Sequence, residues 1–154
     1  RNLAATIKLL VGAGDRIASS TAPFAVVGLV ANALWPRAFH MGLGTGGVVA
    51  GAVLLAIGVP LWITSAAQIL VRVPKGKLIT GGPFALVLHP LYTSVALLVI
   101  PGLGLVLDSW LGPFLGLVLF AASRAFERSE DDDLAARFGD EYARYRKRVL
   151  LPWL

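Results

Sequence analysis

The chain of 154 residues is 56% hydrophobic and only 15% charged, has a mean hydropathy of +0.75 and a formal charge of +5, and contains no cysteine. A soluble domain is about one-quarter charged, so an ordinary water-soluble fold is excluded, and the length fits a single domain. Disulfides, cysteine-ligated zinc, iron–sulfur clusters and thiol catalysis are excluded with the missing thiols, and one methionine, Met41, does not make a Met-rich binding surface.

Membrane spans are expected where Lys, Arg, Asp and Glu are absent, because a charge at mid-bilayer costs about 3 kcal/mol on insertion scales. Ile17 to Pro36, Ala38 to Val71, Leu78 to Leu107 and Ser109 to Ser123 are free of these residues. About 20 apolar residues cross a bilayer, so the pattern predicts an all-α polytopic protein with four spans. In chain order, Leu3, Ile7, Leu10 and Val11 recur at helical spacing before Gly12 and Gly14. They predict either a short helix on the membrane surface or an extension of the first span. Span one lies near Ile17 to Trp35; a signal peptide is disfavoured because further apolar spans, not a soluble domain, follow it.

Span two is placed near Gly46 to Val71, long enough to tilt and open to a kink at Pro60. Its Gly47-x-x-x-Gly51 pattern would let a neighbouring helix approach closely. Spans three and four, near Leu91 to Leu107 and Trp110 to Ala125, form a hairpin that turns at Asp108, Ser109 and Trp110. Beyond Arg128 the composition changes to SEDDDLAARFGDEYARYRKRV. There Leu134, Phe138, Tyr142, Tyr145 and Val149 recur at three- and four-residue steps, predicting one amphipathic helix or two broken at Gly139. Ser129 is a candidate cap at its start, and the acidic and basic runs suit the helix dipole.

Basic residues favour the cytoplasmic side. Arg1, Lys8 and Arg16 precede span one, Arg72, Lys75 and Lys77 follow span two, and seven basic residues from Arg124 to Arg148 follow span four; only Arg37 falls on the other side. Both termini and the second loop are therefore expected in the cytoplasm, which points to the bacterial inner membrane. Cations that flank spans and match a topology signal also argue against nucleic-acid binding. The sequence starts at Arg1 rather than Met, leaving room for a preceding segment and a further span.

The second loop carries the chemistry. Gly81, Gly82 and Pro83 break any helix and open backbone N–H groups, and Pro90 is suited to begin span three. A lone His at a helix start, such as His89, is more often a cap or an interfacial residue than a ligand. No second His, Asp or Glu stands near it at metal-ligand spacing, and His40 falls on the opposite side, so no metal site is expected.

GGPFALVLHPLY, a hydrophobic hairpin and then SEDDDLAARFGDEYARYRKRVLLPW together resemble the integral-membrane methyltransferases that include isoprenylcysteine carboxyl methyltransferase and bacterial phospholipid methyltransferases. The resemblance spans roughly Gln68 to Trp153. It implies methyl transfer from S-adenosylmethionine, bound at the cytoplasmic face, to a lipophilic or lipid-linked acceptor from the bilayer. Carried over by position, the implied cofactor residues are Gln68, Gly76, Lys77, Leu78, Ile79, Phe84, His89, Pro90, Leu91, Tyr92, Glu130 and Asp131. Loop N–H groups, His89 and Tyr92 would donate to the carboxylate or ribose, Glu130 and Asp131 would accept, and Leu78, Ile79 and Phe84 would wall the adenine. The tail helix would fold back as a lid.

The chain departs from the family at Leu88, where the family has arginine, at Phe84 for tyrosine and at Asp131 for glutamate. The family's acceptor-orienting arginine falls on Phe126, and Arg124 and Arg128 are the neighbours that would take its role. Methyl transfer needs positioning rather than a protein nucleophile, so the absence of cysteine is no obstacle. Alternative readings are an inactive membrane scaffold of the same fold and an NADPH-dependent membrane reductase, the latter opposed by the short chain and the lack of a dinucleotide phosphate site. A transporter subunit is opposed by the absence of ionisable residues in spans two and three. The sequence names neither the acceptor nor an oligomeric state.

Overall fold

The computed structural model describes residues 3–154, with side chains from Gly14 onward. The long apolar runs fold as long helices even with Pro23 and Pro60 inside them, and the described residues are all-α, without a sheet. Helix α1 spans Leu3–Leu34, and a single turn, α2, spans Pro36–Phe39. Helix α3 spans Gly44–Arg72 and runs through Pro60 unbroken, ending in a 3-10 turn at Val73–Lys75. Because α1 is continuous from Leu3, the segment expected on the membrane surface extends span one; the face presented by Leu3–Val11, with Arg1 and Lys8, lies outside the described residues.

After the loop, α4 (Pro83–Leu86) and α5 (Pro90–Ser94) each carry proline in the first turn, where the missing N–H costs nothing. From Pro90 the helical run continues through a wide π turn at Val95–Val99 into α6, Ile100–Val106. Pro101 gives the turn a cause: its ring crowds the carbonyl four residues back and supplies no N–H. The Ile100 N–H bonds instead to the Val95 carbonyl.

The expected hairpin is present. Asp108 takes a positive φ of 53° in the turn, and α7 starts at Leu111. Helix α7 then runs to Phe138, so span four and the acidic segment form one helix, contrary to the expected new start at Ser129. The Ser129 hydroxyl lies inside that helix and donates to the Phe126 carbonyl, because no glycine or proline intervenes to end it. The break comes at Gly139, with φ 49°, and α8 follows as Asp140–Arg148.

Helix α1 packs on α7, α7 on α6 and the π turn, and these on α3. Glycines set the spacing: a Cβ on Gly51 would stand 2.5 Å from the Gly102 carbonyl, and one on Gly58 would stand 2.6 Å from Leu98 Cβ. Two helices, Gly14–Leu34 and Gly44–Lys75, are long and apolar enough to cross a membrane, and Pro90–Val106 is a shorter apolar helix. Only 6% and 17% of the two long apolar windows is buried in the fold.

At one end of the row, Phe39 stacks on Trp110 at 4.6 Å, and the Trp110 indole donates to the Ala38 carbonyl. Asp108 pairs with His40 at 3.0 Å and accepts from the Leu43 N–H. The second loop, the end of α7 and α8 gather at the other end.

Candidate functional site

A cavity of about 560 Å³ lies where the second loop, α5, α7 and α8 meet. Gly76, with φ 66°, closes the turn after α3 and sends Lys77, Leu78 and Ile79 along the cavity wall. Gly82, with φ 64°, makes the next corner and delivers Pro83 into α4, which presents Phe84. A Cβ on Gly82 would stand 2.8 Å from Gln68 Nε2. Gln68 thus packs beneath the loop rather than on the cavity wall, and its buried Oε1 has no hydrogen-bond partner.

His89 precedes Pro90, whose ring bars the residue before it from helical geometry, and stands at the start of α5 with φ −120° and ψ 63°. Its side chain is buried and meets α7 at two points. Nε2 lies 3.1 Å from Asp131 Oδ1, and Nδ1 lies 3.8 Å from Glu130 Oε2. Burial alone pushes the imidazole pKa down; the Asp131 hydrogen bond and the charges of Glu127, Glu130 and Asp131 outweigh it and raise the value above 6.5. For Asp131, burial acts upward, but hydrogen bonds from His89 and Tyr142 hold the carboxyl below its ordinary range. Glu130 is raised, by burial first and then by Glu127, Asp131 and Asp133, against the pull of His89.

Helix α8 closes the site. Tyr142 and Tyr145 fall three residues apart on one face; the Tyr142 hydroxyl donates to Asp131 Oδ1 and the Tyr145 hydroxyl to the Phe84 carbonyl at 2.7 Å. Both rings join Leu88 and Val149 in a buried cluster, against which Leu78, Phe84, Leu134 and Phe138 pack. Leu88, 7% exposed, is one of the side chains filling this cluster. The roof is the tyrosine-bearing, basic α8, whereas the acidic segment of α7 forms a wall.

Of the residues implied for the cofactor, Gly76, Lys77, Leu78, Ile79, Phe84, His89, Pro90, Leu91, Tyr92 and Glu130 line the cavity. Asp131 stands behind His89 as its hydrogen-bond partner. Arg124 and Arg128 do not line it: Arg124 pairs with buried Glu127 at 2.9 Å and donates to the Trp153 carbonyl, and Arg128 is exposed. Arg16, Asp133 and Arg137 line the cavity too. In the sequence Arg16 and Arg137 register only as topology charges, and Tyr142 and Tyr145 only as an apolar face. Among the described residues, no His, Asp or Glu cluster could hold a metal ion.

No family profile, curated protein or solved structure matches the chain. The chemistry of the cavity has therefore to be read from its own walls. One side is aromatic and aliphatic, through Phe84, Leu134, Phe138 and the two tyrosines. The other is polar, through His89, Tyr92 and Glu130, whose buried Oε2 has no hydrogen-bond partner. A ligand with a flat apolar ring at one end and hydrogen-bond donors at the other satisfies both.

Proposed function

We propose that the protein is an S-adenosylmethionine-dependent membrane methyltransferase acting on a lipophilic or lipid-linked acceptor at the cytoplasmic face. The observation that carries this reading is the convergence on one cavity of residues 76–79, 84, 89–92 and 130, which are separated in sequence and implied by the family resemblance as one cofactor site. The volume falls within the 300–1,000 Å³ range of small-molecule sites. The orphaned Glu130 oxygen fits an ammonium or ribose hydroxyl, and the aromatic wall fits an adenine ring.

When bound, S-adenosylmethionine supplies an activated methyl group. The chain's residues bind, orient and shield. Phe84, Leu78 and Leu134 hold the ring; His89 and Tyr92 donate hydrogen bonds; Glu130 accepts them. Asp131 fixes the imidazole from behind, and α8 excludes water. Positioning of this kind supplies a large part of the rate in a displacement that needs no protein nucleophile.

In this reading four segments cross the bilayer, the two long helices together with Pro90–Val106 and the first part of α7. Exposed Phe24, Val27, Leu29, Val53, Ile57, Leu103 and Leu117 then face lipid, because an apolar surface of this extent is foreign to water-soluble monomers. The cavity lies at the end that carries Arg16, Lys77 and Arg137, and charge asymmetry along the sequence assigns that end to the cytoplasm.

Calorimetric titration of the detergent-purified chain with S-adenosylmethionine, and separately with NADPH, tests the assignment. Binding of the first in the micromolar range is expected, with His89→Ala and Glu130→Ala each weakening it about tenfold or more, the worth of a hydrogen bond to a charged group. Absence of binding at millimolar S-adenosylmethionine, or binding of NADPH instead, would overturn it.

A further inference from the structure

The cavity has a wall from outside the half of the chain that carries the resemblance. Arg16, two residues into the apolar stretch of α1 that starts at Gly14, lines it together with Ile69, Val73, Leu91 and Tyr92. The Tyr92 hydroxyl reaches α1: it stands 3.4 Å from where a Cβ on Gly14 would lie. Helix α1 also meets the 3-10 turn after α3. Arg16 thus reaches the cavity from the same helix that the Tyr92 hydroxyl touches.

Three cationic side chains line the cavity besides His89, and they are not equivalent. The Arg137 guanidinium stands over the Phe138 ring at 5.9 Å, at the aromatic end, and Asp133 lies one turn away on the same helix face. Lys77 is carried by the loop and Arg16 by α1, and both side chains are exposed. Arg16 makes no ion pair with any described carboxylate and lines the cavity from α1. A guanidinium there matches a carboxylate, which it binds through two parallel N–H donors. Glu130, with its unpartnered oxygen, matches the ammonium beside it.

Resting on the cofactor reading above, we propose that Arg16 binds the carboxylate of the ligand's amino-acid end and makes the cavity selective for nucleosides that carry one. Helix α1 is then part of the binding site as well as a membrane span. The adenine lies against Phe84 and Phe138, and the amino-acid end points toward α1.

The test compares two probes on the full chain in detergent: S-adenosylmethionine and its decarboxylated form, which lacks only the carboxylate. Arg16→Ala and Arg16→Gln should each weaken the first at least about tenfold while changing the second less than about twofold, with Arg16→Lys intermediate. Unchanged helical circular dichroism and melting temperature would certify the fold. Equal weakening of both probes, or of neither, by variants of a wild type that binds S-adenosylmethionine would overturn the role of Arg16 and leave the cofactor reading standing. A wild type that binds neither probe would overturn both.

Discussion

Between Asp131 and Glu130, the imidazole of His89 stays charged to higher pH than a free histidine, since the Asp131 hydrogen bond and the surrounding carboxylates outweigh the effect of burial. A folded-state pKa raised above the unfolded value means that the stabilisation is fully present below the unfolded imidazole pKa of about 6.5 and is lost as pH rises through the raised one. Glu130, raised mainly by burial, has the same sign. Asp131 has the opposite sign: its carboxyl is lowered by His89 and Tyr142 against burial, so its contribution is present above the unfolded carboxyl pKa and lost as pH falls through the lowered one. Together they predict a thermal-stability optimum in mildly acidic buffer and a decline as pH rises above the unfolded imidazole pKa, read by melting curves in detergent at constant ionic strength. His89→Asn should flatten the alkaline side of the profile; an unchanged slope would show that the pair does not set it. At this scale the sequence marks His89, Glu130 and Asp131 as a group through motif order alone. That Asp131 supports the imidazole while Glu130 faces the cavity follows only from α7 presenting consecutive residues about 100° apart, against an α5 whose position the sequence does not supply.

Glycines carry the helix contacts. In α3, Gly51 sits on the Gly102 carbonyl and Gly58 on Leu98, while a Cβ on Gly46 would meet nothing within 4 Å. Gly51→Ala is therefore expected to push α3 from α6 and cost about 1–3 kcal/mol, as overpacking does. Gly46→Ala in the same helix should be neutral or gain up to about 1 kcal/mol from helix propensity. Thermal unfolding of both variants in one detergent checks the contrast, and equal effects would contradict the packing. The Gly47-x-x-x-Gly51 spacing made this face legible beforehand, as the hairpin turn at Asp108 and the break at Gly139 were legible from charge and glycine. Two features were not. The acidic run looks like a new element because composition changes there, yet no glycine or proline falls between Phe120 and Phe138, and Arg, Ala, Glu and Leu on either side of the weak helix formers Asp131 to Asp133 favour helix, so α7 passes through it unbroken. The π turn depends on how Pro101 packs against α7, where a Cβ on Gly116 would collide with the Ala96 carbonyl, and local sequence does not specify that contact.

Across the whole molecule the two ends of the helix row differ in kind. One is a small knot of Phe39, Trp110, His40 and Asp108 that ties α2 to the hairpin; the other holds the cavity, with Arg16, Lys77 and Arg137 in its wall. Helix α1 alone separates Arg37 from the cavity end, and an odd number of crossings between Arg37 and Asp140 is required if α3, the Pro90–Val106 run and α7 each span. Both positions are exposed, and the chain has no cysteine, so one introduced thiol is the sole labelling site. Arg37→Cys and Asp140→Cys should react with a membrane-impermeant maleimide from opposite faces, the second in inside-out vesicles only. Reaction of both from one face would mean that one of the three segments fails to cross, most simply Pro90–Val106, whose 17 residues extend about 26 Å at 1.5 Å each and so fall just short of a 30 Å hydrocarbon core. The cavity would then open toward a re-entrant helix rather than between spans, and a lipophilic acceptor would have to approach along the bilayer surface.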